Sequence, residues 1–252
     1  GNYAGDDNSP TNAVIIGYRA GRVINGENTV AVGYDALKAA TESDNTAVGA
    51  YALQALVDGT NNTALGIAAG YRIDKGDNST FLGYYAGYNA TGSRNTFVGM
   101  EAGKGTTSSA PYSSGQQNIA IGYQAFYRFS TGGSNVAIGM QALSANNVSG
   151  HKNIAIGLSP AFSLTSGTDN IAIGSNALAY TTTATDNIAI GQYTSHRTGQ
   201  YNAASHVITM GKFSGYYNQG NNNIFMGYYS GHGNSANAHS PGVNNVGIGY
   251  QS

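Results

Sequence analysis

Four ionisable side chains occupy one column of a repeating sequence, and the two carboxylates among them could bind a cation. Lys152, Asp169, Asp186 and His206 each lie five residues before a glycine that recurs along the chain. If successive repeats stack about 4.8 Å apart, the two carboxylates repel each other unless a cation or a flanking positive group shields them. Lys152 and His206 are placed to flank them. The column is therefore either a solvated corner or a divalent metal site at Asp169 and Asp186.

Tyrosine is the second residue type that could do chemistry, since the chain has 19 Tyr and no Trp. Tyrosine combines a ring face that can pack on a sugar with a hydroxyl that can hydrogen-bond. We predict ligand binding at five tyrosines near irregular stretches of the chain: Tyr112, Tyr193, Tyr201, Tyr216 and Tyr229. The alternative is that the rings only cover the protein or pack between chains.

No arrangement of residues predicts catalysis. The five histidines are scattered, and none has a Ser or Cys partner at a recognised spacing. The spacing around Gly99 and Gly103-Lys104 does not fit a phosphate-binding loop. The chain has no Cys, which excludes a thiolate site and a disulfide framework. We expect a protein that is not an enzyme and has no cofactor.

These side chains must be positioned by a short repeat, seen most clearly where Asp169–Gly174 recurs as Asp186–Gly191. The glycine that ends each copy recurs mostly every 16 or 17 residues. The fourteen copies end at Gly17, Gly33, Gly49, Gly66, Gly83, Gly99, Gly122, Gly139, Gly157, Gly174, Gly191, Gly211, Gly227 and Gly249. A unit this short holds two short strands and two turns but no helix of ordinary length. The repeat predicts an all-β parallel β-solenoid of about fourteen short coils, as one domain over 1–252 with an N-terminal cap at 1–12 and repeats at 13–249.

Side chains alternate along a strand, so the residues one and three before each glycine share one face. They are mostly Ile, Val and Leu, and we predict that they fill the core, with Ile121, Ile138, Ile156, Ile173 and Ile190 fully buried. The residue two before the glycine is usually Ala and points the opposite way. A small apolar row predicts a second buried surface where another backbone comes close, and we predict that Ala137, Ala155 and Ala172 lie in this interface.

Three further features of the repeat carry predictions. Asn lies four before most of the glycines, which predicts a ladder of amides bonded from coil to coil. Copies with Ala-Gly after the strand, such as Ala86-Gly87, should turn more sharply than copies with Ala-Leu. Three expansions, at 104–117, 192–205 and 230–242, should project from one edge as recognition loops.

Charge and hydropathy restrict the partners. Only 9% of the residues are charged and the net charge is −1, so nothing attracts nucleic acid or an anionic membrane. No apolar run approaches the roughly 20 residues of a membrane-spanning helix, so we expect no membrane insertion in this segment.

The copies Asn118–Gly122 and Asn135–Gly139 show the pattern N-x-A-[IV]-G. This pattern resembles the head repeat of YadA-type trimeric autotransporter adhesins, and similar repeats are found in phage and viral tail fibres. The resemblance implies a left-handed β-roll, a side-by-side homotrimer with the Ala row at the threefold axis, and attachment to host glycans or matrix proteins without catalysis. It also implies an extracellular location on a cell surface or virion fibre. The alternative is a structural subunit of a self-assembling extracellular filament, whose open ends stack on the next chain.

Overall fold

The computed structural model describes residues 3–5, 11–106, 112–196, 204–218, 220–233 and 242–252. The protein is all-β and forms a parallel β-solenoid, with no helix in these ranges. Fourteen of its strands are three residues long and end directly before a repeat glycine, which confirms the first strand predicted in each coil. The second strand predicted in each coil is replaced by turns in the described ranges, except at Arg128–Phe129 and Asn146–Val148. The chain divides into two compact units, Gly1–Thr131 and Gly132–Ser252. Most of the predicted cap at 1–12 lies outside the described residues.

The N-terminal unit contains a ladder of seven parallel strands. They are Val14–Ile16 (β1), Val30–Val32 (β2), Thr46–Val48 (β3), Thr63–Leu65 (β4), Thr80–Leu82 (β5), Thr96–Val98 (β6) and Ile119–Ile121 (β7). Each strand pairs with the next at equivalent positions of the repeat, so that Ala31 lies beside Ala47 and Ala47 beside Ala64. A short strand, Arg128–Phe129 (β8), follows β7.

The C-terminal unit repeats this arrangement. Its parallel ladder comprises Val136–Ile138 (β9), Ile154–Ile156 (β11), Ile171–Ile173 (β12), Ile188–Ile190 (β13), Ile208–Met210 (β14), Ile224–Met226 (β15) and Val246–Ile248 (β16), and the short strand Asn146–Val148 (β10) lies between β9 and β11 in the chain. Register is again kept, with Ala155 opposite Ala172 and Ala172 opposite Ala189.

The assignment of the two strand faces from the sequence is wrong. Ala137, Ala155 and Ala172 point into the protein's own core and are 0% exposed, so they cannot pack against a neighbouring chain. Ile121 is 39% exposed, and Ile138, Ile156, Ile173 and Ile190 are half-buried on the outside. The reason is size, because the coil interior is also filled from its opposite side by Leu, Ile and Phe and leaves room mostly for small side chains on the strand.

In each unit, the outward positions form a surface that we call the outer apolar face. It consists of the residues three before, one before and one after each repeat glycine. Its exposed members include Val14, Ile16, Tyr18, Leu65, Ile67, Leu82, Tyr84, Met100, Ile119, Tyr123, Met140, Leu158, Met210, Met226 and Tyr228. Lys212 is its one charged residue.

The predicted asparagine ladder is present and lies inside the protein. In the C-terminal unit, Asn170 Nδ2 donates to Asn153 Oδ1 at 2.9 Å, and Asn187 Nδ2 donates to Asn170 Oδ1 at 3.0 Å. Asn170 Nδ2 also donates to the Ala184 carbonyl at 2.7 Å. These amides are almost fully buried, so each satisfies backbone groups at a corner that water does not reach.

The residue four after the repeat glycine adjusts the core volume. Leu37 and Leu53 occupy this position at φ of +46° and +48°, while Gly87 has a φ of +62°. All three backbones are therefore left-handed, and the prediction of a sharper turn at glycine is wrong. A Cβ at Gly87 or Gly103 would collide with the ring of Phe81 or Phe97 in the same coil, so glycine makes room for the aromatic ring.

Candidate functional site

The described parts of the first expansion, 104–106 and 112–117, pack on the wall of the N-terminal unit through Ser113. Residues 107–111, 197–203 and 234–241 of the three expansions lie outside the described ranges. The backbone N of Ser113 donates to the Asn89 carbonyl at 3.1 Å, and its carbonyl accepts from Thr91 N at 2.8 Å. Its hydroxyl donates to the Phe129 carbonyl at 2.5 Å and is almost completely buried. A parallel β-bridge between Ala90 and Ser113 thus holds this segment against the wall and fixes the position of the adjacent Tyr112.

A cluster of polar contacts supports the start of this expansion. Lys104 Nζ lies 2.6 Å from Glu101 Oε1, and Gln124 Nε2 donates to Glu101 Oε2 at 2.8 Å. Burial alone would raise the pKa of Glu101, but the hydrogen bonds from Gln124 and Lys104 outweigh it and hold the pKa below its ordinary value. Glu101 is therefore ionised at neutral pH and helps to hold the expansion in place.

Tyr112 closes one side of an open cleft of about 740 Å³. The lining residues come from successive coils and the expansion, and they are Gln54, Ala55, Tyr71, Arg72, Asp74, Lys75, Thr91 and Tyr112. This volume lies within the range of about 300–1,000 Å³ that is typical of small-ligand sites. The cleft combines aromatic rings with amide, hydroxyl, carboxylate and cationic groups, a combination suited to a polyhydroxylated ligand.

Arg72 is one of three charged side chains that line the cleft. Its guanidinium carbon lies 5.0 Å from the ring centroid of Tyr112 and 5.6 Å from that of Tyr88. Tyr88 stacks on Tyr71 at 4.8 Å, and burial raises the pKa of Tyr88 above its ordinary value against the opposing charge of Arg72. The ring remains a neutral phenol, so the aromatic contacts hold the guanidinium without neutralising its charge.

The structure separates the five predicted tyrosines into two groups. Tyr112 lies in the N-terminal unit, while Tyr193, Tyr216 and Tyr229 lie in the C-terminal unit. Tyr201 lies outside the described residues. In the C-terminal unit, the ring of Phe213 lies 5.4 Å from that of Tyr193 and 4.9 Å from that of Tyr229. Tyr216 stacks between His196 and His232, at 5.0 Å and 5.6 Å.

This stacking limits what the C-terminal rings can bind. Phe213 is parallel to Tyr193 within 4°, and Tyr216 is parallel to His196 within 6°. Rings stacked in this way cover one another's faces, so a ligand meets mainly their edges and hydroxyls. Tyr112, which contacts a cation in an open cleft, is the better candidate for a contact with ligand.

The predicted metal column is explained by backbone conformation. Asp169 and Asp186 are exposed and have φ of +58° and +57°, and Asn28 and Asn61, at the same position of other coils, have +52° and +57°. Asn and Asp tolerate this left-handed conformation better than most residues. Asp186 Oδ2 lies 3.5 Å from His206 Nε2. No group of three or more metal-ligating side chains occurs in the described ranges.

The sequence interpretation missed the cleft residues Tyr71, Arg72 and Lys75. A signal was available, because Gln54, Tyr71 and Tyr88 each lie five residues after a repeat glycine. Parallel coils place equivalent positions side by side, so these residues must form a column next to the first expansion. Reading that column with the expansion would have located the cleft.

No protein-family model matches the chain, and no curated protein matches it either. Within the described ranges there is no helix long and apolar enough to cross a membrane.

Proposed function

We propose that this protein is a non-enzymatic extracellular attachment module that works as a side-by-side homotrimer and recognises surface glycans or matrix. The observation that carries the proposal is the cleft beside Tyr112, where an expansion of the repeat adds a binding surface to a rigid scaffold. The resemblance of the repeat to adhesin heads and tail fibres supports the same role, and it is the basis for proposing three chains.

The outer apolar face supports association between copies. A soluble monomer rarely exposes a continuous apolar patch of more than a few hundred Å². In the C-terminal unit alone, β11, β12 and β13 present six half-buried isoleucines outward in three aligned rows. A partner that fits these rows must have ridges at the same spacing of about 4.8 Å, and another copy of this chain has that spacing. We therefore place the interface on the isoleucine rows.

Association is tested by the molecular mass in solution at several dilutions. We expect a trimer, and we expect the double variant Ile156→Asp/Ile173→Asp to give a folded monomer, because buried carboxylates oppose association while the coil interior is unchanged. Ser166→Asp, at an exposed position of the same unit, is the matched control and should stay trimeric. Open-ended growth of the mass would favour the filament subunit, and a wild-type monomer would contradict association through this face.

Attachment is tested by retention on glycan-coated and matrix-coated surfaces. We expect Tyr112→Ala to lower retention at least tenfold while the circular dichroism spectrum stays unchanged. Tyr180→Ala, which removes an exposed ring from the C-terminal unit, is the matched control. Equal loss in both variants would indicate a nonspecific aromatic effect, and no retention of the wild type on any such surface would contradict the proposed function.

A further inference from the structure

We propose that the cleft of the N-terminal unit binds an acidic saccharide through a single carboxylate that pairs with Arg72. This inference rests on the proposed attachment role and names the class of ligand. It is carried by the contacts of Arg72, by the balance of charge in the cleft and by the mixture of groups that surround it.

Arg72 differs from Arg19 and Lys104 of the same unit, which pair with carboxylates. Arg19 donates to Asp35 from Nε at 2.7 Å and from Nη2 at 2.6 Å, and Lys104 contacts Glu101 at 2.6 Å. The ion pairs of the described residues do not include Arg72, which is half-buried between two tyrosine rings. The outer edge of a guanidinium held by rings still carries paired N–H donors, and those donors match the two oxygens of a carboxylate.

The remaining charges favour a ligand of low charge density. Lys75 contributes a second positive charge, but its Nζ lies 3.6 Å from Asp58 and both side chains are well exposed, so the pair is weak. Asp74 adds a negative charge to the lining. The lining carries Arg72 and Lys75 against Asp74, and Asp58 beside Lys75 offsets the excess positive charge. Arg72 is thus the cation left for one carboxylate, and the two aspartates repel a densely sulfated chain.

The neutral groups of the cleft fit the rest of a sugar. Gln54 Nε2 donates to Asp35 at 3.0 Å and Thr91 Oγ1 donates to the Ser113 carbonyl at 3.3 Å. The Gln54 amide oxygen, the Thr91 hydroxyl oxygen and the carboxylate of Asp74 can still accept hydrogen bonds from sugar hydroxyls. Tyr71 and Tyr112 line the cleft with apolar ring surface and hydroxyls, and the Tyr112 ring lies against Arg72. A saccharide combines C–H surface, hydroxyls and, when acidic, a planar carboxylate, so each type of lining group has a counterpart.

The experiment is calorimetric titration of the full chain with matched acidic and neutral sugars. Sialyllactose is compared with lactose, and trigalacturonate with its methyl ester. We expect the acidic member of at least one pair to bind at least tenfold more tightly than its neutral partner, and the two pairs distinguish sialic acids from uronic acids as the source of the carboxylate. Arg72→Gln should remove this preference, and Arg72→Lys should restore little of it, because an ammonium cannot donate in the bidentate geometry. Arg94→Gln, at an exposed turn of the same unit, should bind like wild type.

Three results would overturn the inference. They are equal binding of acidic and neutral sugars, an unchanged preference in Arg72→Gln, and tighter binding of a heparin oligosaccharide than of either carboxylated sugar. Circular dichroism of each variant separates loss of binding from loss of fold. If wild type and Arg72→Gln are retained equally on a glycan surface, the acidic-sugar inference fails and the attachment role survives. If wild type is retained on no surface, the attachment role itself fails.

Discussion

Phe81 and Gly87 share one volume inside a coil, and substituting both residues tests how tightly the core is packed. Both residues belong to one coil, two before and four after Gly83, and a Cβ at position 87 would collide with the Phe81 ring. The coil with Ala47 at the first position has Leu53 at the second, and both side chains are fully buried. These two coils therefore fill the core with either a large residue on the strand or a large residue after the turn. The coil between them has Ala64 and Gly70, where Leu53 and Phe81 of its neighbours occupy the space.

The magnitudes follow from volume. Phe81→Ala should cost about 3–5 kcal/mol, since it empties a fully buried aromatic site. Gly87→Leu should cost about 1–3 kcal/mol or more through overpacking against the ring. The double variant recreates the Ala47/Leu53 pair and should lose less than about 1.5 kcal/mol, as in a volume-conserving exchange. The coupling energy is then about 2.5 kcal/mol or more, which is large for two sites.

The assay is urea unfolding of the four proteins at one chain concentration, with a double-mutant cycle built from the free energies of unfolding. The converse cycle serves as the control, and in it Ala47→Phe should be strongly destabilising until Leu53→Gly is added. Additive losses in both cycles, with coupling below about 0.5 kcal/mol, would refute the idea that these positions share one volume.

Three further predictions concern the repeat and its expansion. Asn170→Ala should cost about 2–4 kcal/mol in urea unfolding because buried partners lose their hydrogen bonds. Asn170→Ser should cost less, since Ser79 occupies this position in another coil and still accepts from Asn95 N at 3.1 Å. Gly174→Ala should lower the melting temperature by several degrees, because its φ is +128° and a Cβ would lie 2.5 Å from the Gly191 carbonyl oxygen. The lowered pKa of Glu101 stabilises the fold above its unfolded pKa near 4.5, and this contribution disappears as the pH falls through the lower folded pKa. Glu101→Gln should therefore lose stability at pH 7 and show a smaller change than wild type between pH 5 and pH 3; an identical pH dependence in the two proteins would contradict this role.

The elements that could be predicted from the sequence are those dictated by local chemistry. The period of the repeat predicted where the strands lie, because each strand ends at a glycine whose φ near +130° other residues rarely adopt. The asparagine ladder was predictable because an amide can both donate and accept between stacked coils. Both features depend on one residue type at one position and not on the direction in which the rest of the strand faces.

The inside and outside of each strand could not be assigned in the same way. Because side chains alternate along the strand, Ile171 and Ile173 face away from Ala172. Both faces are apolar, so hydrophobicity does not show which face lies inside the coil. The side chains that decide the question lie on the far side of the coil, where Leu164 and Leu178 fill the interior against the alanines. A narrow coil with large residues on one wall needs small residues on the other, so size is the informative property of the strand.

The outer apolar face and the cleft use different positions of the repeat, so association between chains and sugar binding are compatible. The outer apolar face uses residues from three before to one after the repeat glycine, whereas Gln54, Tyr71, Arg72 and Lys75 lie five to nine residues after it. Association through the isoleucine rows therefore requires no cleft residue. Three chains side by side would present three clefts to one surface, so that weak single contacts add through avidity. The trimer-breaking variant should accordingly keep the affinity of each cleft for a soluble sugar and lose retention on a dense glycan surface.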